Sequence, residues 1–160
     1  MRLATNKTFI AAMILLGVTR GALSACAPET VSVRGDWGNV QFSVEIADDT
    51  SERAQGLMRR ESLARSKGML FIYDEPGNLT FWMRNTLIPL DMIFIRPDGE
   101  IAHIHENAVP LDETPIPGGP GNLAVLEING GLARSLGISV GDSVRHEAFS
   151  SQSPVWPCEN

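Results

Sequence analysis

Val40, Phe42, Val44 and Ile46 alternate with Gln41, Ser43 and Glu45, the period-2 pattern of a strand with one buried face. The pattern breaks at Asp49-Thr50-Ser51-Glu52, where a capping residue is followed three positions later by an acid. Arg53-Ala54-Gln55 and Gly56 come next, which predicts a helix of about two turns. The apolar and aromatic run Gly68 to Tyr73, the turn residues Asp74 to Gly77 and the run Leu79 to Met83 predict a hairpin. Leu90 to Ile95, Arg96 to Gly99 and Ile101 to His105 predict a second. Four prolines and three glycines between Pro110 and Gly121 predict a surface loop without a ladder. Leu123 to Ile128 reads as a last central strand, and Asn129-Gly130-Gly131 opens a one-turn helix that Gly137 closes. Val144 to Ala148 returns as a strand. About seven strands and two short helices, with no repeat or linker between Val31 and Phe149, predict one mostly-β (α+β) domain. Its expected form is a single compact antiparallel β-sandwich or squashed barrel over residues 26–149, followed by a tail over 150–160.

The segment before this domain has a different character. Arg2 and Lys7 precede the apolar run Phe9 to Val18, and small residues end at Ala22-Leu23-Ser24-Ala25, the layout of an export signal over residues 1–25. The apolar run is about half the roughly twenty residues a membrane-spanning helix needs, so a cleaved signal is expected rather than a transmembrane anchor. The expected location is periplasmic or secreted. Cleavage removes 25 of the 160 residues and leaves 135. It also takes Arg2, Lys7 and Arg20, so the balance of 13 basic against 19 acidic residues becomes 10 against 19 and the net charge moves from -6 to -9. Such a chain has no electrostatic footprint for phosphate backbones, and nucleic acid is not an expected partner. With 43% hydrophobic and 20% charged residues it can bury a core.

Processing at Ala25 makes Cys26 the first residue, with Cys158 close to the other end. In an oxidising compartment the pair predicts a disulfide that closes nearly the whole chain, worth about 4 to 5 kcal/mol through chain entropy. Alternatively, Leu23-Ser24-Ala25-Cys26 is a lipoprotein box, with a lipid anchor on Cys26 and Cys158 left as an odd thiol. Arg20 interrupts the approach to that box, and the stranded thiol also weighs toward the disulfide.

Common catalytic signatures are absent: no Gly-x-Ser-x-Gly elbow, no phosphate loop and no Cys-x-x-Cys. Gly118-Gly119-Pro120-Gly121 follows a proline loop and precedes a strand, so it reads as a turn rather than a dinucleotide site. His103 and His105 project to one face of a strand and are weak candidates for a metal, with Asp112 or Glu113 as a third ligand. Met58, Met69, Met83 and Met92 sit in apolar runs as core filler, so no cofactor is expected.

The densest chemistry lies between Phe81 and Asp91, where Trp82, Arg84, Asn85 and Thr86 form a candidate ligand-binding group. Asp91 and Glu127 each stand inside an apolar run as candidate buried acids and join that group. Buried carboxylates need partners, and half of the basic residues of the processed chain (Arg53, Arg59, Arg60, Arg65 and Lys67) fall in or after the first helix. Structural ion pairs of Arg53 and Arg60 with Asp91 and Glu127 are the economical expectation.

Four ordered motifs carry a resemblance. Arg53-Ala54-Gln55-Gly56-Leu57-Met58, Gly68-Met69-Leu70-Phe71, Phe81-Trp82-Met83-Arg84-Asn85-Thr86 with Pro89-Leu90-Asp91, and Val125-Leu126-Glu127-Ile128-Asn129-Gly130-Gly131 resemble family 192 of the domains of unknown function, from about Val40 to Val144. Arg84 stands where that family often has lysine, which keeps the charge and changes its geometry. The resemblance implies a jelly-roll-like, often exported domain, and it supplies no activity, substrate or cofactor. More closely similar members carry a cysteine at the processed N-terminus and a Trp-Pro-Cys ending like Trp156-Pro157-Cys158, which favours the disulfide.

The leading expectation is therefore a non-catalytic periplasmic module that binds a small polar or carbohydrate-like ligand, or an envelope partner. One alternative is a hydrolase using Asp91 and Glu127 as a carboxylate pair, whose carboxyl groups must then open into one cleft about 5 to 10 Å apart. Another is a metal-binding protein built on His103 and His105.

Overall fold

Val31-Ser32-Val33 is too brief an alternation to announce a strand, yet both valines are fully buried and begin β1 (Thr30–Gly35). A computed structural model describes residues 26–149 and 153–158. The expected export signal, residues 1–25, lies outside these, as do residues 150–152 and 159–160 of the tail. From β1 the chain turns into β2 (Gly38–Ala47), the strand expected from the alternation at Val40 to Ile46. Helix α1 (Thr50–Gln55) follows. Asp49 accepts from the Glu52 backbone N–H at 2.8 Å while the Glu52 carboxylate reaches back to the N-cap, so the predicted capping box is present.

A departure from expectation follows. β3 (Lys67–Gly77) does not fold back on Leu79 to Met83. It pairs in parallel with β2 and antiparallel with β8 (Asn122–Asn129). A parallel pair needs a crossover, and α1 with the segment after it supplies one, so a single parallel pair interrupts the antiparallel scheme. The run expected to complete the hairpin leaves the sheet instead: β4 (Thr80–Phe81) pairs with β7 (Ile116–Pro117). The proline-rich loop therefore holds a two-residue ladder after all. Pro117 has no N–H to give, and the next donor, Gly118, bonds the Leu79 carbonyl at 2.9 Å.

The second predicted hairpin is present as β5 (Leu90–Ile95) and β6 (Ile101–Ala108). After β8, helix α2 (Leu132–Leu136) ends at Gly137 in the left-handed conformation, and β9 (Ser143–Arg145) gives way to a 3-10 turn at Glu147–Phe149. The main sheet has seven strands in the order β6-β5-β8-β3-β2-β1-β9. It curls into a half-barrel whose edges meet at one end. There the Ile101 N–H donates to Asp142 O and the Val144 N–H donates to Gly99 O, at 2.9 and 2.8 Å. The molecule is mostly β and barrel-like, as expected.

The sheet has apolar packing on both sides. Leu70, Ile93, Leu126 and Ile128 face the concave interior with Val31, Val33 and Leu132 of α2. Met69, Phe71, Met92, Phe94 and Val125 face outward, beneath the excursions that carry β4 and β7. Phe81 of β4 sits edge-on to Phe71 and Phe94, with ring centroids 5.0 and 5.9 Å away. Central β8 is consequently buried on both faces from Asn122 to Ile128, which accounts for its unbroken apolar run and leaves Glu127 as its one acid.

The two ends of the described residues are tied together. Cys26 and Cys158 form a disulfide across 132 residues with Cα atoms 5.5 Å apart, and the Trp156 ring lies between the guanidinium groups of Arg34 and Arg145, at 4.2 and 4.4 Å. Among the described residues no helix is long and apolar enough to cross a membrane.

Candidate functional site

Register separates the two candidate acids. Asp91 stands opposite Ile128 across the β5–β8 pair, whereas Glu127 stands opposite Met92. Paired residues share a face and neighbours along a strand alternate, so Asp91 belongs to the concave side and Glu127 to the outer side. The expected carboxylate pair in one cleft does not form.

Neither acid meets the arginines expected for it. Asp91 is fully buried and accepts three backbone N–H groups, from Asn107, Gly131 and Ala133, each at 2.7 Å. It thereby pins the end of β6 to the start of α2, which is a structural task. Arg60 makes a two-pronged pair with Glu45 instead, at 2.5 and 2.6 Å, which holds the Glu45 carboxyl below its ordinary range. Backbone amides reach Asp91 more directly than any side chain from α1 could, because α1 lies against the outer face.

Glu127 is 4% exposed and, among the described residues, has no hydrogen-bonding or charged partner. Burial alone pushes its carboxyl up to about 8 from an ordinary 4.5, so the group is protonated at neutral pH. It lies in the wall of a half-open cleft of about 90 Å³. α1 and the segment after it supply Arg53, Gly56 and Met58, β3 supplies Tyr73, and the β4 excursion supplies Phe81, Trp82 and Thr86. Gly56 permits the approach of α1: its φ is 47°, and a Cβ there would stand 3.1 Å from the Phe71 ring.

Arg53 is fixed by donating from one terminal nitrogen to the carbonyls of Asp48 and Ile72, the latter at 2.8 Å, with its guanidinium 4.9 Å from the centre of the Tyr73 ring. Burial raises the Tyr73 hydroxyl above its ordinary range, opposed by the charge of Arg53 and reinforced by that of Glu127. Tyr73 therefore lies within electrostatic reach of both.

The residues of the Phe81 to Asp91 motif divide around this cleft. Trp82, 47% exposed, forms its rim, and buried Thr86 forms part of its wall. Arg84 lies 5.5 Å from the Trp82 ring on the solvent side. Asn85, at φ 54°, turns the loop so that its carbonyl accepts the Arg59 N–H, while its amide faces the Met58 sulfur at 3.9 Å. His103 and His105 stand opposite Phe94 and Met92 on β6, and among the described residues no three His, Cys, Asp or Glu side chains are grouped to hold a metal. Tyr73 was not a sequence candidate. It shares a β3 face with Met69, which stands opposite Glu127, and with Phe71, so the β3–β8 register puts Tyr73 on the same outer face as Glu127, four residues along the strand from Met69.

Comparisons with known proteins agree with this architecture. A protein of unknown function from Novosphingobium aromaticivorans DSM 12444 is 51% identical over 72% of this chain and 83% of its own, with a TM-score of 0.71. A protein from Sinorhizobium meliloti 1021 that carries a transcription-regulator designation is 42% identical over 78% of this chain and 98% of its own, with a TM-score of 0.73. No curated protein matches. The model of domain-of-unknown-function family 192 (DUF192, Uncharacterized ACR) matches residues 31–146, from β1 to the end of β9, and the chain belongs to that family.

Proposed function

We propose that the chain is a non-catalytic module that binds a small polar, carbohydrate-like ligand in the Glu127 cleft, and that it works outside the cytoplasm. The carrying observation is the buried carboxyl of Glu127, which lies without a protein partner beneath the rim formed by Trp82. Its oxygens open to the cleft, since the one fully enclosed unpartnered side-chain atom among the described residues is Asn122 Oδ1, so an entering ligand can supply the partner that Glu127 lacks in a low-dielectric wall. The half-exposed Trp82 face offers stacking surface for a ring, and Thr86 and Tyr73 add hydroxyl groups. Asp91, turned to the other face, is out of reach for two-carboxylate hydrolysis, which favours binding over that chemistry.

The test is a thermal-shift panel of saccharides and peptidoglycan fragments on residues 26–160. A ligand at about 100 times its Kd stabilises by about 2.7 kcal/mol, a rise of several degrees, and Trp82→Ala is expected to abolish it. No shift with any compound, or an equal shift in Trp82→Ala, overturns the reading. The export-like segment at residues 1–25 and the Cys26–Cys158 disulfide support the extracytoplasmic location. Protein isolated from its own cell should be found in the periplasmic fraction with Cys26 as its first residue. A cytoplasmic chain that begins at Met1 counts decisively against export.

A further inference from the structure

We infer that the Glu127 cleft receives the carboxylate group of a small acidic ligand, held by hydrogen bonds donated from Glu127, Tyr73 and Arg53. This rests on the ligand-binding reading above and narrows its ligand class.

Three groups of the wall without a partner are donors, beside the side chains of Gln55 and Thr80, which both donate and accept. Arg53 spends one terminal nitrogen on two carbonyls, which leaves the other nitrogen of a fixed guanidinium without a partner. The Tyr73 hydroxyl has no hydrogen bond among the described residues, and burial keeps it protonated. Burial does the same for Glu127, which turns an acceptor into an O–H donor at neutral pH. A carboxylate only accepts, so it matches three donors better than a neutral sugar hydroxyl, which brings a donor of its own. Arg53 supplies the compensating charge, and Arg53 and Glu127 are the two ionisable groups of the wall besides Tyr73. A volume of about 90 Å³ suits a headgroup, with the rest of the ligand outside against Trp82. Arg59 and Arg84 stand one and two residues beyond the lining residues Met58 and Trp82, and both are exposed in an otherwise acidic chain.

The surroundings of Glu127 make the interaction dependent on its proton. Arg53 of α1 and Tyr73 of β3 are the charged or titratable groups that share its cleft. Across the sheet its immediate neighbours are Met69 and Met92, and the same row ends in Glu45 on β2 and His105 on β6. Loss of the Glu127 proton sets two anions against each other, so binding should weaken as pH rises through about 8.

Calorimetric titration of residues 26–160 with matched pairs tests this: glucuronate against glucose, and N-acetylmuramate against N-acetylglucosamine. At least one acid should bind at about pH 6 and bind about tenfold more weakly at about pH 9, where roughly one Glu127 in eleven keeps its proton. Its neutral counterpart should not bind. The two pairs show whether a uronic or a lactyl carboxylate is preferred. Glu127→Gln, checked for folding by circular dichroism, keeps a donor and should bind the acid with most of the pH dependence gone. Equal affinity for acid and neutral partner overturns the inference and leaves the binding-module reading standing, as does binding of neutral sugars alone. Acid binding whose pH dependence survives in Glu127→Gln also overturns it. Failure of every compound here and in the thermal-shift panel removes both readings.

Discussion

Asp91 and Glu127 are one register position apart on neighbouring strands and face opposite sides of the sheet. That relation gives the two acids separate tasks and predicts separable mutants. Asp91 accepts hydrogen bonds from three backbone N–H groups, those of Asn107, Gly131 and Ala133. Asp91→Ala leaves these donors without a partner and should destabilise the fold by about 3 to 5 kcal/mol in urea unfolding. Asp91→Asn keeps one oxygen and turns an amide N–H toward a backbone N–H, so its cost should be smaller. Whatever folded Asp91→Asn protein remains should keep its affinity for a cleft ligand. Equal stability of wild type and Asp91→Ala would contradict the structural role.

Glu127 predicts a pH dependence of stability with a definite sign. Its carboxyl titrates near 8 when folded and near 4.5 when unfolded, so between these values the folded state holds a proton that the unfolded state has released. Stability from this group is complete below about 4.5, falls as pH rises and levels off above about 8. The slope is at most about 1.4 kcal/mol per pH unit, which amounts to a few kcal/mol across the window. Glu127→Gln removes that slope and should be the more stable protein at about pH 8. Urea unfolding of both proteins at about pH 5, 6.5 and 8 measures the difference, and parallel profiles would show that Glu127 ionises freely in the folded state.

Local chemistry made much of this fold legible. The capping box at Asp49 and Glu52, the β5–β6 hairpin and the glycine that closes α2 are each written within a few residues and are found as expected. Partner choice is different, because it depends on residues far away. Tyr73 to Leu79 carries a good turn composition, yet β3 gains more by continuing between β2 and β8, where Phe71 and Leu70 are buried on both sides. The same gap explains the misplaced arginines. Arg60 and Asp91 both read as half of a pair, and only the register shows that Asp91 faces amides on the concave side while Arg60 meets Glu45. Trp82 and Thr86 were recognised by residue type; Tyr73 and Arg53 joined them in the cleft through the β3 and α1 placements, which no local pattern encodes.

Gly56 should be sensitive for two reasons that add. Its φ of 47° is strained for any other residue, and an added methyl group meets the Phe71 ring at 3.1 Å. Gly56→Ala is expected to cost about 1 to 3 kcal/mol and to push α1 away from the sheet, which widens the cleft that Gly56 lines. Denaturation gives the first effect and ligand affinity the second. A neutral substitution on both measures would mean that the α1 terminus is not held against β3.

The disulfide should decide whether the C-terminal segment stays on the barrel. Cys26 leads directly into β1, and the same N-terminal stretch is held where the Pro28 carbonyl meets His146 Nε2 at 2.6 Å. The other end is held by Trp156 between Arg34 and Arg145 and by the Val155 N–H on Asp98 O at 2.9 Å. Exposed cation–π contacts contribute about 0.5 to 1 kcal/mol each, and one hydrogen bond about as much, which is close to the cost of ordering so few residues. The cross-link across 132 residues is worth about 5 kcal/mol through chain entropy, several times these contacts combined with that cost. Cys158→Ser, or reduction, should therefore lower stability by several kcal/mol and make the tail cleavable by protease ahead of the domain, whereas Trp156→Ala with the disulfide intact should lose about 1 kcal/mol. Limited proteolysis and urea unfolding with and without reductant separate the two contributions. Identical unfolding midpoints in the oxidised and reduced protein would show that the aromatic clasp alone is sufficient.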